Sequence, residues 1–179
     1  MSQGEPDIRQ QVEANRGAIK KLQLLIPGLR GYRSKEDLRV SDELLRNQVA
    51  DRLDRVRVNL QQLRKQVAMN NDLTNITTIG SLMAQVQTLS GEVRHAAQGY
   101  AGWVAPIRID ENKLNALYDY DFTFVSQVFQ LDEATGSLSY DATAPNSIQT
   151  SLGQFSKTVL DLGQKWSRRI DMIEGIALS

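Results

Sequence analysis

The chain has 179 residues with no cysteine and a single histidine, and its Lys+Arg and Asp+Glu are balanced at 21 each. Zero net charge gives no ground for nucleic-acid binding, and the lack of cysteine excludes a disulfide framework or a thiolate metal site. A hydrophobic content of 41%, with 6% aromatic residues and 4 prolines, suits helices better than a sheet sandwich.

The segment Met1–Pro6 is short and polar, without the apolar core of a signal peptide. No run approaches the roughly 20 apolar residues that span a bilayer. The expectation is a soluble, cytoplasmic protein. The sequon Asn75-Ile76-Thr77, with no export signal beside it, reads as a chance match.

In chain order, the first helix is expected from Pro6 to about Leu25, with Ile8, Val12, Ile19, Leu22 and Ile26 on one face and Pro27-Gly28 ending it. Ser34 can cap a second, long helix whose apolar positions are Leu38, Leu45, Val49, Leu53, Val56, Leu60, Leu63 and Val67. Val49, Val56 and Leu63 repeat at seven-residue spacing, as do Leu53, Leu60 and Val67. Such a helix needs a partner along its whole length.

Met69–Asp72 is the next break, with Asp72 as a cap. A third helix to about Gln98 carries Leu73, Ile76, Ile79, Met83, Val86, Leu89 and Val93. Its β-branched start and its Gly80 and Gly91 make it the least helix-prone of the set. Gly99–Pro106 is a connector, after which Asp110 caps a fourth helix with Leu114, Leu117, Tyr118, Phe124, Val125, Val128 and Leu131.

Thr135–Asn146 reads as a loop. The final helix, from about Ser147 to Ile176, carries the cleanest heptad pattern. Leu152, Val159, Trp166 and Ile173 form one series, and Ile148, Phe155, Leu162 and Ile176 lie on the adjoining stripe. This stripe packs within the chain or forms a seam for self-association.

Charge is uneven along the chain. Residues 1–69 hold 14 Lys+Arg and 9 Asp+Glu, a net of +5, so residues 70–179 carry 7 and 12, a net of −5. The contrast between the Arg-rich second helix and the acidic fourth suggests electrostatic matching of neighbours or subunits, or a basic face for an acidic partner.

Two patterns resemble a group of small, uncharacterised bacterial helical proteins. Ile26-Pro27-Gly28-Leu29-Arg30-Gly31-Tyr32-Arg33 precedes the Arg-rich helix and matches that group's Pro-Gly-x-x-Gly-Tyr turn. Lys113-Leu114-Asn115-Ala116-Leu117-Tyr118-Asp119-Tyr120-Asp121 matches its Lys-Leu-x-x-Leu-Tyr-x-Tyr-Asp segment. The resemblance covers residues 8–132 and does not extend past Ala134. It implies an all-helical fold and supplies no activity.

Three candidate sites follow. Arg30, Arg33 and Lys35 crowd before a helix N-terminus, with Arg39 one turn on, where a phosphate, lipid headgroup or acidic segment could sit. The plainer alternative is a helix connection whose arginines pair with local acids. Tyr32, Trp103 and Tyr118 are candidates for an interaction face, with corner packing the alternative for Trp103. Tyr118 and Asp121 share a helix face, where a buried tyrosine hydroxyl bonded to a carboxylate is expected rather than acid–base chemistry. Glu92-x-x-His95 has metal-ligand spacing, but one histidine per chain does not build a di-iron bundle site, and no metal or cofactor is expected.

The sequence thus predicts an all-α protein, an elongated up-and-down bundle of about five helices with coiled-coil-like long helices. It reads as one domain, divisible into 7–98 and 107–177 about Gly99–Pro106. The expected function is a non-enzymatic interaction or scaffold protein with a protein partner, able to self-associate into a homo-oligomer along the final helix. The alternative is a peripheral binder of an anionic membrane or acidic ligand through residues 30–35 and the second helix.

Overall fold

A computed structural model describes residue 17 and residues 19–31, 35–96 and 111–177 of the chain. The described residues form an all-α bundle with no strand. The described part of the first helix, α1, covers residues 19–25. The long helices are α2 (Lys35–Met69), α3 (Leu73–His95), α4 (Glu111–Gly136) and α5 (Ser147–Ala177). No helix among the described residues is long and apolar enough to cross a membrane.

The apolar stripes account for the packing. Leu38, Leu45, Val49, Leu53, Val56, Leu60, Leu63 and Val67 of α2 are all buried. So are Ile79, Leu82, Val86, Leu89 and Val93 of α3 and Leu114, Leu117, Phe124, Val125, Val128 and Leu131 of α4. The heptad stripe of α5 turns inward too, with Ile148, Leu152, Val159, Leu162, Trp166 and Ile173 in the same core. Phe124 and Trp166 pack with ring centroids 5.6 Å apart. The seam considered for self-association along α5 is therefore buried within the chain.

Around the bundle, α2 neighbours α3 and α4, and α5 neighbours α3 and α4. Side-chain bonds give the directions. Arg52 meets Asp132, whereas Arg169 joins Asp42 and Asp121, so α2 runs parallel to α4. Asn75 reaches Pro145 and Ser156 reaches Gln85, so α3 runs parallel to α5. Consecutive helices alternate in direction, and α3 and α4 stand diagonally opposite.

Pro27-Gly28 does end α1. Gly28 takes φ +88°, a conformation that costs a glycine little. Leu22, Ile26 and Leu29 then pack into the core. Between α2 and α3, Asn71 adopts φ +55° and Asp72 caps α3 by accepting from the Asn75 N–H at 3.1 Å. Despite its weak propensity α3 is a continuous helix, because its apolar face is buried against α2 and α5.

The 137–146 loop is tied to the α2–α3 turn. The Tyr140 N–H donates to Gln66 Oε1 at 3.1 Å and its hydroxyl to Asp72 Oδ2 at 3.1 Å, while Asn75 Nδ2 donates to the Pro145 carbonyl at 3.0 Å. The Asn75 backbone N–H first, then the Asn75 amide at 2.6 Å and to a lesser extent the Tyr140 hydroxyl, lower the Asp72 carboxyl below the usual aspartate range. Desolvation and the Asp72 carboxylate push the Tyr140 phenol up.

Candidate functional site

Of the residues expected at the basic turn, Arg30 is exposed. Its backbone is fixed by buried Ser41, whose hydroxyl accepts from the Arg30 N–H at 3.3 Å and donates to the Arg30 carbonyl at 3.0 Å. Arg39 is exposed on the first turns of α2. Tyr32, Arg33, Trp103 and the side chain of Lys35 lie outside the described residues.

Tyr118, considered for an interaction face, is instead 4% exposed and part of the core. A Cβ added at Gly31 would lie 3.8 Å from its hydroxyl, so the tyrosine sits beneath the turn rather than on a surface. Glu92 and His95 are exposed on the last turns of α3.

Charge matching between α2 and α4 is partial and specific. Asp132 takes Arg52 at 2.9 Å and Arg55 at 3.1 Å, and Asn59 donates to its carbonyl at 3.3 Å. Arg52 also lies 3.9 Å from the centroid of the Phe129 ring. Two acids of α2, Asp51 and Asp54, face α3 instead. Arg94 bonds Asp51 at 3.0 Å and Asp54 at 2.8 Å, and the Ser90 hydroxyl donates to Asp54 at 2.9 Å.

The strongest electrostatic feature is a layer of buried charge across the bundle. Arg169 of α5 is 1% exposed. It grips Asp121 of α4 in bidentate fashion, Nε to Oδ1 at 2.6 Å and Nη2 to Oδ2 at 3.0 Å. Its Nη1 donates to Asp42 of α2 at 2.6 Å. The second oxygen of Asp42 accepts from Arg46 Nε at 2.8 Å, and Arg46 Nη1 closes the layer on the Arg94 carbonyl of α3 at 2.9 Å.

Two carboxylates and two guanidinium groups balance within the core, as buried ions must. A cavity of about 20 Å³ adjoins the layer, lined in part by Arg46, Ala96, Trp166 and Ile173. That is room for about one water. The buried indole N–H of Trp166 has no acceptor among the described residues.

Sequence reasoning left this layer unassembled, although each helix carries its mark. Asp42 lies between Leu38 and Leu45, Asp121 between Leu117 and Phe124, and Arg169 between Trp166 and Ile173, each in a slot the apolar stripe reserves for the core. A charge in such a slot is the signal that could have found it.

The outer surfaces differ sharply. From Leu73 to Gly91 the chain has no charged side chain. The outward and α5-facing positions of α3 are Thr74, Thr77, Thr78, Ser81, Ala84, Gln85 and Thr88. On α5, the flank beside α3 reads Gln149, Gly153, Ser156, Leu160, Gly163 and Ser167, while Lys157, Asp161, Lys165 and Arg168 fall on the other flank. Ser156 and Gln85, 3.1 Å apart, join the two helices into one continuous uncharged face. The exposed side of α2 carries Arg39, Glu43, Asp51, Arg55, Arg64 and Lys65.

Comparison of the chain with protein-family models, with curated proteins and with solved structures gives no match in any of the three.

Proposed function

We propose that this chain is a non-enzymatic helical interaction protein that docks a helical partner on the α3/α5 face. One observation carries the reading. The long apolar stripes are buried within the bundle, and the surface that remains is divided into a charged side and an uncharged side.

Interface centres are depleted in charge, and small side chains let helix backbones approach with little loss of rotamer freedom. Thr77, Thr78, Ser81, Ala84 and Thr88 supply such a surface on a rigid helix. The layer of buried charge serves this role by fixing α5 against α2 and α4, so that both halves of the face keep one geometry.

The test is capture of native complexes from lysate with the wild-type chain and with Ser81→Arg plus Thr88→Arg, two exposed positions. The complex is expected to be lost in the doubly substituted chain. Complexes that survive those changes but vanish on substitution of exposed α2 residues overturn the reading.

A second reading rests on exposed Arg30 and Arg39 at the end of the bundle where α2 begins. It is peripheral binding of an anionic surface. It requires sedimentation with anionic vesicles that weakens with salt and with Arg30→Ala, and equal sedimentation with neutral vesicles overturns it.

A further inference from the structure

We infer that the cavity beside the buried charged layer is a binding site for one water molecule, held by the indole N–H of Trp166 and the guanidinium of Arg46. The site lies inside the bundle and does not depend on the docking face.

Two donors at this cavity lack acceptors among the described residues. Trp166 is 2% exposed, and its Nε1 hydrogen has no partner. Arg46, 7% exposed, spends Nε on Asp42 at 2.8 Å and Nη1 on the Arg94 carbonyl at 2.9 Å, which leaves Nη2 without a bond. Both side chains line the same cavity. A buried indole N–H is ordinarily hydrogen-bonded, because a bare one forfeits its hydration with nothing in return. A single acceptor in the cavity satisfies both donors at once.

Size and charge select the ligand. The cavity, about 20 Å³, exceeds the roughly 10–15 Å³ that one water needs and is too small for an organic molecule. Asp42 and Asp121 already balance Arg46 and Arg169, and Glu174 lines the cavity too. A halide would set an uncompensated negative charge beside these carboxylates, and a metal cation would face N–H groups that cannot ligate it. Water accepts from both N–H groups and still has protons to give. Asp42 can take one, since each of its oxygens accepts a single bond, Oδ2 from Arg46 and Oδ1 from Arg169. Three bonds are typical of a buried water.

The water joins α5 to α2 through Trp166, as the direct bond of Arg169 to Asp42 does nearby. It also accounts for a tryptophan at a position of the stripe whose other members, Leu152, Val159 and Ile173, are aliphatic. The ring packs 5.6 Å from Phe124, and the N–H serves the polar layer.

The test is a crystal structure of the full chain grown in sodium bromide, with diffraction recorded at the bromine absorption edge. The expected result is one density peak in the cavity, about 2.7–3.2 Å from both Trp166 Nε1 and Arg46 Nη2, without anomalous signal. An anomalous peak there identifies a halide and overturns water as the ligand. A cavity without a peak, a peak out of reach of either donor, or closure by a side chain that takes the indole hydrogen overturns the site. Trp166→Phe keeps an aromatic ring and removes the N–H, so its crystal should lose the peak. A water that persists there overturns the role given to Trp166. If that variant does not fold, cross-relaxation between water and the Trp166 indole proton of the wild type, read by NMR, checks the same contact, and its absence overturns it.

Discussion

Replacing Arg169 with methionine probes the buried layer with little change in volume. The substitution removes two bonds to Asp121, at 2.6 and 3.0 Å, and one to Asp42 at 2.6 Å, all among groups at or below 1% side-chain exposure. Asp42 keeps Arg46 at 2.8 Å, so the loss falls mainly on Asp121. Breaking one side of a buried ion pair costs about 3–5 kcal/mol. In a chain of this size that is a fall in Tm of roughly 6–20 °C.

The stripped carboxylate would hold a proton more tightly in the fold than in the unfolded chain. The variant's deficit should therefore shrink as pH falls from about 7 to about 5. Converting the whole layer to apolar residues, with Asp42→Leu, Arg46→Met, Asp121→Leu and Arg169→Met, should restore most of the stability. Matched hydrophobic replacements of buried ion clusters are commonly neutral or better. Urea unfolding followed by circular dichroism measures all three chains. The reasoning is refuted if Arg169→Met loses less than about 1 kcal/mol, or if the fourfold variant is no more stable than the single one.

Other outcomes follow from the same contacts. Phe124→Ala, which empties a fully buried site against Trp166, should cost about 3–5 kcal/mol in the same unfolding assay. Asp132→Ala removes the partner of half-buried Arg52 and exposed Arg55, and should cost only about 1 kcal/mol, less at high salt. Asp72 should titrate below the usual aspartate range by carbon-detected NMR, and Tyr140→Phe should move it part of the way back. Because the folded value is the lower one, the contribution of Asp72 to stability is present above the unfolded value. It fades only as pH falls through the folded one.

Much of the architecture is legible in the residue pattern. The repeats at Val49–Val56–Leu63 and Leu152–Val159–Trp166–Ile173 mark buried faces, and Asp72 marks the start of α3, as the Asn75 hydrogen bond confirms. The pairing of helices is less legible. That α2 lies beside α4, and α3 beside α5, depends on which stripes interlock in three dimensions, and periodicity within one helix carries no such information.

The same gap hides the charged layer. Asp42, Asp121 and Arg169 are far apart in sequence and meet only once the diagonal arrangement is built. Tyr118 belongs to the apolar stripe of α4, and its burial agrees with that placement rather than with the interaction face also considered for it. One helical step sets it inward, while Tyr120 sends its hydroxyl to the Lys165 carbonyl at 2.9 Å. The uncharged run of α3 is plain in the sequence, but apolar periodicity points to the buried side of that helix and not to its outer one.

A heptad stripe has a weakness that the charged layer corrects. Sliding α5 by seven residues, roughly 10 Å, would return apolar side chains to apolar slots along the stripe, with Trp166 the main misfit in size. Arg169 distinguishes the slipped bundle from the native one. After such a slip its guanidinium would come level with position 35 or 49 in place of Asp42, and Asp121 would lose the cation that faces it. The bundle thus carries an alignment mark that can be read in only one way, at a depth where a misreading is most heavily penalised.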